Sequence, residues 1–259
     1  MLITSTRNKL YKSVKSLQAK KGRSQTGCFV VEGIKSVFDA LESDWTVTLV
    51  AHSSDAAEKV QHIIQLAQHA DIPVYTVSAS IFHGLCDTMS PEGVICVVRQ
   101  PQQLLHMHSG LYVYCDRIRD PGNAGTIIRT ADAVGAAGVL LSPACVDLYA
   151  PKTLRAAMGS LFHIEVFANV GLDVLAKMRE NGFRIIAGTL GCDSVDYQTA
   201  GWQQRCVIAV GNEANGVSDE LLSLCDVHAH IPIYGQAESL NASIAAGLLM
   251  YEWRRNQKK

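Results

Sequence analysis

Several common devices are missing from this 259-residue chain. Its eight cysteines, Cys28, Cys86, Cys96, Cys115, Cys145, Cys192, Cys206 and Cys225, include no two closer than ten positions. No CxxC metal or redox pair is therefore present, and most of the thiols lie in apolar segments such as GVICVV and RCVIAV. They read as buried free thiols of a reducing compartment, the cytoplasm. No apolar run approaches the roughly 20 residues that a membrane-spanning helix needs, and MLITSTRNKLYKS lacks the apolar stretch of a signal peptide. There is no GxGxxG fingerprint and no P-loop, which disfavours a dinucleotide or nucleoside-triphosphate site of the usual kind. Internal repeats and low-complexity tracts are absent. Two HxH pairs occur, His106/His108 and His228/His230, but no third or fourth ligand accompanies either, so no metal is expected.

Acid is scarce where base is dense. Residues 1–31 hold none of the 24 Asp/Glu but seven of the 23 Lys/Arg: Arg7, Lys9, Lys12, Lys15, Lys20, Lys21 and Arg23. A basic arm on an otherwise acidic body points to a polyanionic partner, or else to a solvated helix face. Of these residues Arg7, Lys9, Lys12, Lys20, Lys21 and Arg23 are the candidate RNA contacts. A hydrophobic fraction of 48% supports a proper core, and a charged fraction of 18% is low for a disordered chain.

Apolar strands and amphipathic helices alternate along the chain, the mark of an α/β fold. Leu10, Val14 and Leu17 predict a short N-terminal helix, and 20–27 a basic loop. Strands at 28–31, 46–51, 73–77 and 93–99 interleave with helices at 34–42, 55–70 and 78–86. Pro, Gln, Ser and Gly at 100–110 mark a linker. Domains are therefore expected at 1–99 and 111–259. The second domain reads as strands at 111–115, 138–141, 163–167, 183–187, 206–210 and 227–231. Helices are expected at 124–134, 152–158, 172–181, 218–225 and 239–254. Strands that are continuous apolar runs suit a parallel sheet covered on both faces. In the last helix Leu240, Ile244, Leu248 and Tyr251 form the apolar stripe. Its small residues Ala242, Ala245, Ala246 and Gly247 point to a tight contact, within the domain or with a second subunit.

The stretch DRIRDPGNAGTIIRTADAVGAAGVLLS, residues 116–142, reads as a loop, a helix and a buried strand. Asp120-Pro121-Gly122-Asn123 is turn chemistry, with Asn123 placed to cap the helix. Arg129 stands out in that helix. It either pairs with a carboxylate such as Asp132, or presents a guanidinium to a phosphate or a sugar hydroxyl beside the helix start. In open α/β sheets ligands bind beyond the carboxyl ends of strands. Three notable loops occupy that position: GTLG at 188–191, GNEANG at 211–216 and PIYGQAE at 232–238, the last running into Ser239-Leu240-Asn241. Each can also be an ordinary turn or helix cap, and the spacing leaves both possibilities open.

Taken in order, DPGNAGTIIRTADAVGAAGVLL, VGNEANGVSDELL and IPIYGQAESLNASIAAGLLMYEW resemble the three motifs of the SpoU/TrmH family of RNA ribose methyltransferases. Residues 1–99 resemble, through STRNKLYKSVKSL and FVVEG, the small L30e-like substrate-binding domain of the members that act on ribosomal RNA. The resemblance implies a SPOUT-type deep trefoil knot in a parallel-sheet α/β domain, a feature that general folding rules would not supply. It also implies S-adenosylmethionine as cofactor, held by Thr189, Gly191, Gly211, Ile231, Leu240 and Asn241. Asn123, Arg129, Glu213, Ser239 and Asn241 take the catalytic positions of the motifs, and the family acts as a homodimer.

The implied reaction is displacement at a sulfonium methyl group by a ribose 2′-hydroxyl, without a metal. Arg129 would contact the target phosphate and hydroxyl, Asn123 would position the hydroxyl or hold its loop, and Glu213 would orient Arg129 or neighbouring loop groups. Ser239 and Asn241 would shape the target pocket. By analogy the acceptor is 23S rRNA. The alternatives are a tRNA 2′-O-methyltransferase, a methyltransferase acting on a base, and a catalytically silent RNA-binding assembly factor on the same fold.

Overall fold

Continuous apolar runs and amphipathic segments resolve into two compact units in a computed structural model, which describes residues 2–102, 104–191 and 193–257. In chain order the elements are β1 (Leu2–Ile3), α1 (Lys9–Ser16), α2 (Lys20–Thr26), β2 (Cys28–Glu32), α3 (Ile34–Glu42) and β3 (Val47–Ser53). Next come α4 (Gln61–His69), β4 (Val74–Val77), α5 (Ala79–Phe82), β5 (Val94–Arg99), β6 (Leu111–Asp116), α6 (Pro121–Val134), β7 (Gly138–Leu141) and α7 (Pro151–Ala157). The chain ends with β8 (Glu165–Phe167), α8 (Leu172–Glu180), β9 (Arg184–Gly188), β10 (Val195–Asp196), β11 (Cys206–Gly211), α9 (Asp219–Leu222), β12 (Val227–His230) and α10 (Ala242–Asn256).

The first unit holds residues up to Gln102 together with Tyr149–Phe162. Its five strands run in the order β1-β4-β3-β5-β2, with β5 antiparallel to both β2 and β3. The segment 149–162, placed in the second domain by sequence, joins this unit. Its Tyr149 ring lies 4.6 Å from that of Phe29, and Phe162 packs edge-on against Trp45 at 5.3 Å. Arg155 pairs with Asp87. Aromatic pairs of this kind add to the burial of apolar area.

The second unit is built on seven strands in the order β10-β12-β9-β11-β6-β7-β8, every recorded pairing parallel. Side chains alternate between its faces. Tyr112, Tyr114, Ile185, Ala187, Val207 and Ala209 turn to the face that packs with Leu175, Met178 and Leu221 of α8 and α9. Helices α6 and α10 pack on each other, and α10 also meets β6, β9 and β11. Gly247 of α10 faces Thr130 of α6: a Cβ there would stand 3.7 Å from Thr130 Cγ2, an ordinary contact.

Several boundaries differ from expectation. Residues 20–26 form a helix rather than a basic loop, closed by Gly27 at φ 63°. Helix α4 begins only at Gln61, after turns, and α9 is a single short helix. Helix α6 starts at Pro121 with Asp120 as its cap, and α10 starts at Ala242 with Asn241 as its cap. The stripe expected to anchor α10 faces outward. Ala246, Leu249, Met250 and Trp253 are buried instead, whereas Leu240, Ile244, Leu248 and Tyr251 are exposed. Members of both sets recur three or four residues apart, so period alone could not orient the helix. None of the seven described cysteines is in a disulfide. Cys86, Cys96, Cys115 and Cys206 are buried, Cys28, Cys145 and Cys225 are half-buried, and Cys192 lies outside the described residues. No helix among the described residues is long and apolar enough to cross a membrane.

Candidate functional site

Strands β6, β9, β11 and β12 are neighbours in one parallel sheet, so the loops that follow them emerge on one edge. Three of these loops enclose a cavity of about 330 Å³. Thr189, Gly191, Gly211, Ile231 and Leu240, five of the six residues expected to hold a cofactor, line it. The sixth, Asn241, is not in the wall. Glu213 and Ser239 are. The remaining surface is largely apolar, from Leu190, Val210, Ile233 and Leu249, with Asn212 as a further polar group. Apolar walls with a few polar groups suit a small organic ligand.

The loop 211–216 owes its shape to two residues that sequence reasoning passed over. Asn212 is buried, and its Oδ1 accepts from the amides of Ala214 at 3.0 Å and Asn215 at 2.8 Å. The loop then folds back, with Gly216 N donating to Asn212 O at 2.9 Å. Gly216 has a φ of 64°, and the backbone approach is so close that a Cβ on Gly211 would overlap the Gly216 carbonyl. Asp116, buried at the end of β6, accepts from Ser218 N at 2.8 Å and ties the far end of the loop to the sheet. An acid closing the apolar run LYVYC was the available signal.

At the start of α6, Asp120 Oδ1 accepts from Asn123 N at 2.8 Å, so Asp120 is the cap and Asn123 sits inside the first turn. That corrects the expected cap and releases the Asn123 side chain. Its Nδ2 donates to Glu213 Oε1, and its Oδ1 accepts from Asn241 Nδ2 at 2.9 Å. Asn241 Oδ1 in turn accepts from Ser243 N at 2.9 Å and Ile244 N at 3.3 Å. Backbone N–H groups can only donate, so they orient the Asn241 amide, which orients Asn123, which faces its donor end to Glu213. One hydrogen-bonded chain thus joins three of the predicted catalytic residues across three loops. Arg129 is exposed on α6, and Ser239 is exposed at the cavity wall.

The basic arm divides. Arg7, Lys9, Lys12, Lys20 and Lys21 are exposed. Arg23 is only 4% exposed and donates from Nη1 to Leu17 O and Gln18 O, each at 2.8 Å. Its guanidinium closes the end of α1 and is unavailable to RNA. His228 and His230 turn to separate partners: His228 Nε2 contacts Leu222 O at 3.1 Å, and His230 Nδ1 contacts Ser194 Oγ at 3.0 Å.

Comparison with known proteins places these features. Residues 110–251 match the SpoU rRNA Methylase family, and residues 8–96 match the MRM3-like substrate binding domain. The chain is 34% identical to the 23S rRNA (guanosine(2553)-2′-O)-methyltransferase RlmP of Bacillus subtilis, over 97% of this chain and 98% of that protein. It is 30% identical to the 23S rRNA (uridine(2479)-2′-O)-methyltransferase of Streptomyces viridochromogenes, over 96% and 90%. Among solved structures, the AdoMet-bound rRNA methyltransferase of Sinorhizobium meliloti superposes with a TM-score of 0.89 at 33% identity, covering 99% of this chain and 98% of that one.

Proposed function

The chain belongs to the SpoU rRNA methylase family and is an S-adenosylmethionine-dependent RNA 2′-O-methyltransferase; we propose that its acceptor is 23S rRNA and that the side chains described above carry the reaction. The observation that carries the proposal is the Glu213–Asn123–Asn241 chain set against a cavity lined by five of the six expected cofactor residues. The cavity suits the cofactor, because a largely apolar wall matches an adenosine and the polar groups from Asn212 and Glu213 suit its ends. S-adenosylmethionine supplies an electrophilic methyl group when bound. Every other task falls to the chain.

Thr189, Gly191, Gly211, Ile231 and Leu240 form the wall that orients the ligand. Arg129 neutralises the phosphate beside the target ribose and the charge developing on its 2′-oxygen. A guanidinium has donors only and no lone pair free to take a proton, so the hydroxyl proton passes to a phosphate oxygen or to water. Asn123 positions the hydroxyl, held in one orientation by Asn241 and Glu213. Ser239 shapes the entrance. Exposed Arg7, Lys9, Lys12, Lys20 and Lys21 grip RNA phosphates.

The enzyme works as a cytoplasmic homodimer joined through the outward stripe of α10, where Ile244 is 54% and Tyr251 55% exposed. A contiguous apolar stripe on the outside of a folded unit marks an interface. The trefoil knot expected of the family belongs to this unit, in whose sheet the late strand β12 lies between β10 and β9.

The test is transfer of radiolabelled methyl from S-adenosylmethionine to unmodified large-subunit rRNA, small-subunit rRNA and tRNA, with Arg129→Ala alongside. We expect label in large-subunit rRNA only, at one linkage resistant to alkali. The variant should lose about a hundredfold or more of the rate while still binding the cofactor. Label on a base, or in tRNA alone, would overturn the proposal.

A further inference from the structure

Ser194 Oγ has two neighbours, Gly191 O at 2.6 Å and His230 Nδ1 at 3.0 Å. A hydroxyl carries one proton, and a carbonyl oxygen can only accept. The shorter contact therefore uses the serine proton, and a separation of 2.6 Å is typical of O–H···O. Ser194 Oγ must then accept from the imidazole, which places a proton on His230 Nδ1. The hydrogen bond of one ring nitrogen sets the tautomer of the whole ring.

This contact spans two cavity loops. Gly191 lies in the wall, and its carbonyl also accepts from Ser194 N at 3.1 Å. Thr189 N, at the other end of the same loop, donates to Ala229 O at 3.0 Å. His230 ends β12, pairs in register with Asp196 of β10, and is followed directly by Ile231, which also lines the cavity. The ring thus holds the loop after β9 against the strand that leads into the loop after β12.

We propose that His230 is a positioning residue for cofactor binding: its Nδ1–H holds Ser194, Ser194 holds the Gly191 carbonyl, and together they set the cavity wall. The proposal rests on the assignment of this cavity to S-adenosylmethionine. It concerns loop geometry, and neither side chain takes part in methyl transfer.

The test combines a spectroscopic signature with conservative rescue. In the ¹⁵N-labelled full chain, the neutral His230 ring, identified by its loss in His230→Asn, should carry its proton on Nδ1. Calorimetry should show His230→Ala and Ser194→Ala each weakening S-adenosylmethionine binding about tenfold, the loss of one well-placed hydrogen bond. The double variant should be no weaker than either single one, because both break the same chain. His230→Asn should bind within about threefold of the parent, since its Nδ2 stands as many bonds from Cβ as Nδ1 does. Affinity for rRNA should be unchanged. A neutral ring protonated on Nε2, or alanine variants that bind the cofactor normally, would overturn the proposal. If the unaltered chain binds no cofactor, the assignment of the cavity falls and the positioning role falls with it, whatever the tautomer.

Discussion

Asn241 Nδ2 donates to Asn123 Oδ1 at 2.9 Å across 118 residues of sequence, so the cap of the last helix also aims a side chain in the first turn of α6. The helix cap and the aim of Asn123 meet in that one amide, and substitution can separate them. Asn241→Ala removes the cap on Ser243 N and Ile244 N, at a cost of about 1 kcal/mol and a few degrees of melting temperature. Asn241→Asp keeps an oxygen for the cap but turns a carboxylate toward Asn123 Oδ1. It should melt close to the parent and still transfer methyl slowly. Calorimetric melting and turnover measured on both variants decide the point; equal activity in parent and Asp variant would remove the aiming role.

Gly211 and Gly216 should respond differently to alanine. At Gly211 the new Cβ would overlap the Gly216 carbonyl, so the loop must move. We expect a loss of about 2–4 kcal/mol in urea unfolding and at least tenfold weaker cofactor binding. At Gly216 nothing lies within 4 Å, and only the φ of 64° is strained, a cost of about 1–2 kcal/mol. Comparable losses at both positions would contradict this account of the loop.

The outward stripe of α10 predicts a dimer. Ile244→Asp combined with Leu248→Glu adds charge at positions already exposed in the single chain, so the fold should persist. Sedimentation should show the parent as a dimer and the variant as a monomer with little methyl transfer. A parent that sediments as a monomer would leave the stripe without its proposed partner.

Within the basic arm, Lys20→Glu with Lys21→Glu should weaken rRNA binding, flatten its dependence on salt and leave stability almost unchanged. Arg23→Ala should do the reverse. Its guanidinium closes α1 through Leu17 O and Gln18 O, so the loss appears in unfolding. Filter binding across a salt series and urea titration of the same variants would separate the two roles.

Alkaline pH should destabilise the chain through its buried thiols. Burial pushes Cys206 up to about 12, with Arg184 opposing and Asp226 reinforcing; Cys225 is pushed up to about 12 by burial and Asp226, against Arg179. A folded pKa above the unfolded value of 9.0 means the folded state holds its proton more tightly. That stability is fully present below pH 9 and is lost as pH rises toward 12. The urea midpoint should fall over this window, and more gently in Cys206→Ala. An identical slope in the variant would show that other groups control alkaline unfolding.

By itself the sequence determined the alternation of strands and helices, the covered parallel sheet, the three loops and the family, because each is written locally: apolar runs, turn residues and motifs in order. It also named Asn123, Glu213 and Asn241. Only the tertiary structure decided how they are used. Asp120 takes the cap, because it precedes Pro121 and reaches Asn123 N, and this turns the Asn123 side chain toward two distant loops. The stripe of α10 faces outward because Ala246, Leu249, Met250 and Trp253 fill the inner face, and one helical period fits both sides. Arg23 looked like its basic neighbours until the end of α1 claimed it. Asp116, Asn212 and the His230–Ser194 contact left little mark in the sequence. Their meaning lies in partners that folding brings together, such as Ser218 N, 102 residues from Asp116, and a hydrogen bond across that distance has no local pattern.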